Sequence, residues 1–309
     1  MRAVRCVEGA PTVLDVPAPQ GPGVELEVVT AGICGSDLHL MQWNLPFVAG
    51  HEFAARLRDG TLVVAEPIAP CRECDRCRLG DYNLCERGPA MVMGVGREGV
   101  MAERCVVPAD ALVRLPAGTV AKDASLVEPL AVGVHGVRRG GIRAGERVAV
   151  VGGGSLGQLA LVAAQAVGAP VDLEARHEHQ REAAARLGAG RVEGEYAVVI
   201  EAAGSQSALD RAVELCRSGG RIVLLGTYWD GLNLPAQSIA LREIDLIPSS
   251  MYARSGPSRD FDVAAAILAH RPEVGPAVIT HRFPLDAAAE AFAAASDRSS
   301  GAIKVVLEP

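Results

Sequence analysis

The chain has 309 residues, which is too long for one compact core and suits two domains. Its 49% hydrophobic and 22% charged residues are typical of an ordinary globular protein. A formal net charge of −7, without any run of Lys and Arg, argues against nucleic acid as a partner.

Neither a secretory signal nor a membrane span is expected. The charged segment 1–11 lacks the apolar core of a signal peptide. The uncharged stretch 148–171 is long enough to cross a bilayer, but its five glycines and Pro170 argue against a membrane helix. We therefore expect a cytoplasmic protein that has no membrane partner.

The chain changes character near residue 130. Before it, short extended runs broken by Gly and Pro predict a β domain, with strands at 24–29, 61–65 and 105–108. After it, strands alternate with helices, which indicates βαβ units around a parallel sheet. The predicted strands there are 147–151, 197–202 and 221–226, and the predicted helices are 156–167, 207–216, 262–269 and 286–295. A last strand at 302–307 could return to the first domain.

One candidate metal site combines residues from separate motifs. Alone, Cys34, His51, Glu52 or Glu128 is more often structural than a ligand. Together they supply one thiolate, one imidazole and two carboxylates, a set suited to catalytic zinc with an open position for water or substrate. Asp37 is a candidate hydrogen-bond partner for a ligand imidazole, although a solvated turn aspartate is nearly as good an interpretation.

A second candidate metal site is a run of four cysteines spaced C-x2-C-x2-C-x7-C, namely Cys71, Cys74, Cys77 and Cys85. Thiolates at these spacings can converge on one ion and complete the closed tetrahedral shell of structural zinc. A redox CxxC pair is the alternative, but it needs only two cysteines and usually opens a helix. We predict a structural zinc that stabilises a loop.

A glycine-rich turn follows the predicted strand 147–151 and opens the next helix. Its GxGxxG glycines permit a tight turn and close backbone approach to a pyrophosphate, and the helix N-terminus favours the anion. A plain glycine-rich loop is the alternative, which the flanking strand and helix disfavour. The candidate cofactor-binding residues of the turn are Gly152, Gly154, Ser155, Leu156 and Gly157.

Taken together, the chain resembles the zinc-containing medium-chain dehydrogenases over essentially its whole length. The matching pieces are GICGSDLH, GHE, the cysteine lobe ending in DYNLC, EPLAVGVH, the glycine-rich turn and the ending GAIKVVLEP, in the family's order. The glutamate of EPL, with ICGSD and DYNLC, looks more like the polyol (sorbitol-type) and threonine dehydrogenase branches than like liver-type alcohol dehydrogenases.

The resemblance implies an α/β fold. A GroES-like β domain of residues 1–130 and 273–309 would carry an inserted Rossmann domain, a doubly wound parallel sheet, of residues 131–272. It also implies two Zn²⁺ ions per chain, a homo-oligomer (dimer or tetramer), and catalytic zinc held by Cys34, His51, Glu52 and Glu128. Which of the two glutamates binds directly stays open.

The resemblance further implies a proton relay from Ser36, through the cofactor ribose, to His39 and solvent. Both residue types suit it, because a hydroxyl donates and accepts at once and histidine titrates near neutrality. An exposed surface histidine is the alternative interpretation of His39.

The cofactor is expected to be NADP(H) in preference to NAD(H). The acid that binds the ribose 2′-hydroxyl of NAD corresponds by position to Ala175, which Arg176 and His177 follow. Loss of the acid removes repulsion of a 2′-phosphate, and the arginine could pair with it. A shift of one residue would instead leave Glu174, or Asp172, to bind NAD.

These observations predict reversible oxidation of a secondary alcohol, such as a polyol or cyclitol, to a ketone. An aldehyde or ketone reductase is an alternative, as is a non-catalytic NADPH-binding protein that acts as a redox sensor or structural recruit. The chain is shorter than most relatives, and we expect the missing length in loops around the substrate pocket. Trp43 and Phe47 lie in one such segment and could line the pocket or belong to the core.

Overall fold

The computed structural model describes residues 1–297 and 299–309. They divide into two compact units, the first made of Met1–Glu128 and Ala253–Pro309 and the second of Pro129–Tyr252. The mixed α/β architecture predicted from the sequence is confirmed, since one unit is built on a largely antiparallel sheet and the other on a parallel sheet.

The strands and helices have the following bounds. The strands are β1 (Arg2–Val7), β2 (Ala10–Asp15), β3 (Val24–Gly32), β4 (Glu52–Arg56), β5 (Leu62–Ala65), β6 (Arg104–Val107), β7 (Leu112–Arg114), β8 (Val148–Val151), β9 (Val171–Glu174), β10 (Tyr196–Glu201), β11 (Cys216–Leu224), β12 (Asp245–Pro248), β13 (Arg254–Ser255), β14 (Ser258–Arg259), β15 (Ile279–Pro284) and β16 (Lys304–Glu308). The helices are α1 (Gly35–Leu40), α2 (Asp75–Leu79), α3 (Val127–Arg139), α4 (Ser155–Ala166), α5 (Glu178–Arg186), α6 (Gln206–Leu215), α7 (Ala236–Leu241), α8 (Asp260–His270), α9 (Val274–Val278) and α10 (Ala288–Ser296). Among the helices described, none combines the length and the apolar character needed to cross a bilayer.

The first unit is organised by a sheet in the order β15-β16-β3-β4-β5-β7, with β6 paired to the other part of β3. Strands β15 and β16 run parallel, and the remaining pairs are antiparallel. Apolar side chains of β3, β4 and β16, such as Leu26, Phe53 and Leu307, meet in one core beneath the sheet. The C-terminal strand therefore lies beside β3, although most of the chain separates the two in sequence.

The second unit contains a parallel sheet in the order β12-β11-β10-β8-β9. Every residue of β8 is buried, as expected for a parallel strand covered on both faces. In the six-stranded Rossmann order 3-2-1-4-5-6, a further strand would flank β9. Within the described part of this unit that place is taken only by an isolated bridge between Asp172 and Gly190.

The connection between α5 and β10 is short compared with that of a six-stranded Rossmann unit. Its residues 187–195 form no outer strand and crossover, and they are a second short segment beside the one expected around the substrate pocket. Side chains close this short connection. The Tyr196 hydroxyl donates to Asp172 at 2.8 Å and accepts from the backbone N–H of Glu193 at 2.9 Å. Arg147 binds the Asp172 carboxylate at 2.7 Å and lies over the Tyr196 ring.

The second unit ends at Tyr252, whereas the sequence pattern predicts that the chain returns to the first domain near residue 272. Helix α8 belongs to the first unit because its N-terminus is bound there. Arg259 donates to the carbonyls of Asp110 and Leu112, both at 3.0 Å. Phe261, the second residue of the helix, is only 1% exposed. Helical periodicity alone does not reveal which sheet a helix packs on.

A buried ion pair joins the last strand of the first unit to β4. The Lys304 ammonium donates to both carboxylate oxygens of Glu52 at 2.7 Å and to the carbonyl of Ile33 at 3.0 Å. Lys304 is 3% exposed and Glu52 is 1% exposed. The chain has one other lysine among its 30 Lys and Arg residues, the exposed Lys122. The compact ammonium forms all three hydrogen bonds available to it, which offsets the cost of burying it.

Replacing Lys304 with methionine should lower the free energy of unfolding by about 3–5 kcal/mol, because the buried Glu52 carboxylate would lose the ammonium that binds both of its oxygens. The Lys304→Met/Glu52→Gln double variant should lose less, since it leaves no unpaired charge. Denaturant unfolding at fixed zinc concentration measures both, and Lys122→Met is the matched control. A Lys304→Met variant as stable as the Lys122→Met control would show that the ion pair does not stabilise the fold.

Candidate functional site

Three of the predicted metal ligands converge in the first unit. One donor atom from each of Cys34, His51 and Glu52 lies within 4.8 Å of the other two. The pairing of β3 with β4 explains this, because it sets Gly32 opposite Glu52. Cys34 then follows one strand and His51 precedes the other at the same end of the pair. A thiol, an imidazole and a carboxylate gathered in this way form a donor set that fits zinc.

The close approach of the two strands requires glycine at position 32. A Cβ atom there would lie 2.2 Å from a carboxylate oxygen of Glu52. Any other residue would therefore displace the carboxylate or separate β3 from β4. The glycine that precedes Ile33 and Cys34 is thus needed for the metal-ligand geometry.

Asp37 connects two of the candidate ligands. One carboxylate oxygen accepts the backbone N–H of Cys34 at 2.9 Å, and the other lies 3.6 Å from Nδ1 of His51. Burial lowers the pKa of His51, but the charges of Asp37 and Cys34 outweigh it and raise that pKa well above its usual value. A carboxylate beside Nδ1 favours a proton on that nitrogen and leaves Nε2 as the donor to a metal. Asp37 is 1% exposed, so it is not the solvated turn aspartate considered above.

Glu128 is buried near this cluster but lies outside the group of three donors. It is the second residue of α3 and 8% exposed. Burial raises the pKa of Glu128 to about 7, while the charge of His51 acts in the opposite direction. Its carboxyl group therefore interacts electrostatically with His51, whereas Glu52 is the carboxylate placed beside Cys34.

Ser36 and His39 both lie on α1, directly after Cys34. The Ser36 hydroxyl is 3.5 Å from Nε2 of His51, which places it beside the candidate ligands. His39 is in the last turn of the helix, partly buried, and is not part of the donor cluster. Trp43 follows and is 58% exposed, so it does not belong to the core. Phe47 is half-buried.

The four cysteines of the lobe form a second donor cluster, in which all four sulfur atoms lie within 4.8 Å of one another. All four are free thiols. Backbone N–H groups point at the sulfurs: Cys74 donates to Cys71 at 3.3 Å, and Cys71 donates to Cys85 at 3.2 Å. The hydrogen bond from Cys74, together with one from the backbone N–H of Glu73, lowers the pKa of Cys71. Burial instead raises the pKa of the Cys77 thiol. Four converging thiols, with backbone N–H groups directed at two of them, fit the closed shell of structural zinc.

Beneath the cysteine lobe lies a polar contact that the sequence did not reveal. The Tyr82 hydroxyl donates to the fully buried carboxyl group of Glu66, which lies 3.7 Å from Arg259. Burial raises the pKa of Glu66 to about 7. Arg72, between two of the cysteines, lies over the Tyr82 ring at 5.0 Å. The lobe is therefore anchored to the sheet by side chains as well as by its thiols. The only available signal was Tyr82 within DYNLC.

The glycine-rich turn of the second unit fits a dinucleotide. Gly152 has a φ of +116°, and a Cβ on Gly157 would lie 1.8 Å from the carbonyl oxygen of Gly152. Gly154 instead faces open space, which leaves its backbone free for a phosphate. Ser155 and Leu156 are the first residues of α4 and contribute backbone N–H groups at its N-terminus.

The predicted cofactor-binding residues after β9 lie beside the glycine-rich turn. Strand β9 ends at Glu174, and Ala175 follows it against Gly153 of the turn, where a Cβ would lie 2.4 Å away. Arg176 is exposed, and its guanidinium lies 3.5 Å from the Ser207 hydroxyl. His177 is the N-cap residue of α5.

Both acids that could have replaced the missing carboxylate are already paired. Glu174 is bound by Arg211 through hydrogen bonds of 2.9–3.1 Å. Asp172 is bound by Arg147 and by the Tyr196 hydroxyl. Each of the two carboxylates therefore has an arginine partner.

Comparisons with known proteins agree with this geometry. Residues 21–117 match the alcohol dehydrogenase GroES-like domain, and residues 155–269 match the zinc-binding dehydrogenase domain. Sorbitol dehydrogenase of Homo sapiens is 31% identical over 90% of this chain and 87% of its own. L-galactonate-5-dehydrogenase of Escherichia coli is 30% identical, with 90% and 89% covered.

Among solved structures, a zinc-binding dehydrogenase of Sinorhizobium meliloti bound to NADP is 28% identical, with a TM-score of 0.85 over 100% of this chain and 99% of that one. The sequence matches and this structural match each cover most of both proteins. The chain therefore belongs to the zinc-dependent medium-chain dehydrogenases, NAD(P)-dependent oxidoreductases that act on CH–OH groups, and within them to the polyol branch.

Proposed function

We propose that the protein catalyses the reversible oxidation of a secondary alcohol of the polyol or cyclitol class to a ketone, with NADP⁺ as the acceptor. The products are the ketone, NADPH and one proton. The observation that carries this proposal is the convergence of Cys34, His51 and Glu52 beside Ser36, because it joins a metal donor set to a hydroxyl able to move a proton. Similarity to sorbitol and L-galactonate-5-dehydrogenases supports a polyhydroxylated substrate.

Cys34, His51, Glu52 and Glu128 would hold the catalytic zinc, and the four lobe cysteines would hold a second, structural zinc. When bound, the catalytic ion polarises the alcohol oxygen, and NADP⁺ accepts the hydride from the carbinol carbon. Asp37 would orient His51 through the carboxylate oxygen that faces Nδ1 at 3.6 Å. Ser36 accepts the hydroxyl proton of the alcohol, and His39 releases a proton to solvent.

A panel of polyols, cyclitols and sugar acids, assayed for NADPH formation by absorbance, tests the proposal. We expect turnover with at least one secondary alcohol and none with the Cys34→Ser variant. Turnover restricted to aldehyde or ketone reduction would favour the reductase alternative. A folded, zinc-loaded protein that binds NADPH and turns over no compound in either direction would favour the non-catalytic alternative.

We also propose that the protein forms a homo-oligomer in the cytoplasm. Leu79 and Leu84 on the cysteine lobe are 73% and 54% exposed, and apolar side chains at such exposure suit a subunit contact. Light scattering coupled to gel filtration measures the assembly, and a monomer at all concentrations would contradict it.

Purified protein should contain about two zinc ions per chain, one for each cluster of donor atoms, as measured by metal analysis.

Cys34→Ser should abolish activity with the fold retained, whereas Cys77→Ser should mainly lower stability, because a closed zinc site contributes folding free energy. Metal analysis, circular dichroism and thermal unfolding separate these effects. Less than one zinc in folded protein never exposed to chelator, or the two phenotypes exchanged, would contradict the division into catalytic and structural sites.

The His39→Ala variant should slow alcohol oxidation most at and below neutral pH, where release of the proton is hardest. The measurement is the pH dependence of kcat/KM under conditions in which chemistry limits the rate. His270→Ala, which removes a histidine from the end of α8, is the control. A profile for His39→Ala that parallels the wild type would exclude His39 from proton transfer.

The protein should bind NADP more tightly than NAD. Because Arg176 is exposed, screening by solvent limits the preference to roughly tenfold. Arg176→Ala should weaken NADP binding and leave NAD binding nearly unchanged, and Ala175→Asp should shift the preference toward NAD. Competitive titration with both cofactors is the direct test. Tighter binding of NAD by the wild type would contradict the proposed preference. The relative from Sinorhizobium meliloti, whose structure was solved with NADP bound, supports the preference for NADP.

A further inference from the structure

An arginine of α6 holds the carboxylate at the end of β9. Arg211 donates from Nε to both oxygens of Glu174, at 3.0 and 3.1 Å, and from Nη2 to one of them at 2.9 Å. Its remaining terminal nitrogen binds Glu214 at 3.0 Å. The planar guanidinium matches the planar carboxylate, so the Glu174 side chain is fixed in position and its charge is compensated.

The position of Glu174 gives this pair its importance. Glu174 directly precedes Ala175, which packs against Gly153 of the nucleotide turn. In a Rossmann fold an acid at the end of this strand accepts the ribose hydroxyls of NAD. Glu174 is the acid next to that position, and its side chain is 39% exposed, whereas that of Asp172 is 14% exposed and paired with Arg147.

The same turn is attached to α6 at a second point, one helical turn before Arg211. There the Arg176 guanidinium lies 3.5 Å from the Ser207 hydroxyl. Helix α6 therefore engages one acidic and one basic side chain of the segment 174–176. It holds the carboxylate in an ion pair and leaves Arg176 exposed next to Ala175. Arg181 also donates to the Ala175 carbonyl but is itself paired with Glu178.

We infer that Arg211 is a specificity-determining residue of the nucleotide site and that it acts through Glu174. This inference rests on the NADP preference proposed above. While Glu174 is paired, it neither repels a 2′-phosphate nor accepts the hydroxyls of a ribose diol. Without Arg211, the released carboxylate would do both. Arg211 itself would contact neither the ribose nor the phosphate, so it is a positioning residue for the Glu174 carboxylate.

The experiment compares Arg211→Met, Glu174→Gln and the Arg211→Met/Glu174→Gln double variant, with Arg186→Met as the control. Arg186 is an exposed arginine on α5 whose guanidinium contacts the Glu182 carbonyl of its own helix. Calorimetric titration of the full-length protein with NADP⁺, NAD⁺ and adenosine 2′,5′-bisphosphate measures binding without turnover. The bisphosphate carries the 2′-phosphate without the nicotinamide half.

Arg211→Met should raise the Kd for NADP⁺ and for the bisphosphate roughly fivefold, as expected for an unpaired like charge that solvent partly screens, and should leave or lower the Kd for NAD⁺. The double variant should return the ratio of the two cofactor affinities to within about twofold of the wild type, because it contains no free carboxylate. A purely structural role of Arg211 would weaken all ligands together and would not be rescued by Glu174→Gln.

An affinity ratio unchanged in Arg211→Met, or not restored in the double variant, would overturn the assignment of Arg211. That outcome is independent of the wild-type preference itself. Wild-type protein that prefers NAD⁺ would overturn the proposed cofactor, whereas wild-type protein that prefers NADP⁺ together with an unmoved ratio would overturn only the role of Arg211.

Discussion

The buried ion pair between Lys304 and Glu52 is the constraint on which the first unit depends. It joins β16, at the end of the chain, to β4, and its third hydrogen bond goes to the carbonyl of Ile33, next to Cys34. A charge buried this deeply is tolerated only when it is paired and hydrogen-bonded. The same bonds that hold the last strand in the sheet therefore fix the carboxylate and the backbone around the candidate zinc ligands.

In the second unit, paired charges have a different consequence. The sheet lacks the strand that would flank β9 in a six-stranded Rossmann order, and Asp172 is used with Arg147 and Tyr196 to close the short connection instead. Glu174 is bound by Arg211. With both nearby acids engaged, the ribose end presents the small side chain of Ala175 and the exposed cation of Arg176. The shortened fold and the expected cofactor preference are thus related through the same few carboxylates.

Prediction from sequence is most direct where the chemistry is encoded over short distances. The spacing of Cys71, Cys74, Cys77 and Cys85 indicates a closed metal site by itself, because a few intervening residues limit how far the thiols can separate. The turn from Gly152 to Gly157 is equally local, because a side chain on Gly157 would collide with the backbone of Gly152 in the same turn. The alternation of strands and helices likewise predicted the parallel sheet. The membership of α8 in the first unit was not predictable, because the periodicity of a helix reports that it has a buried face and not which sheet covers that face.

By itself, then, the sequence determined the residue types that can bind metal or phosphate, their local spacing, and the class of each domain. Tertiary structure alone decided which polar groups pair: Lys304 with Glu52 and Arg211 with Glu174 as ion pairs, and Tyr82 with Glu66 through a hydrogen bond. Lys304 is the first residue of β16, and its position in the sequence does not indicate which carboxylate it binds. The physical reason is that an ion pair depends on distance and burial in space, and residues far apart in the chain acquire both only when the sheets and helices pack.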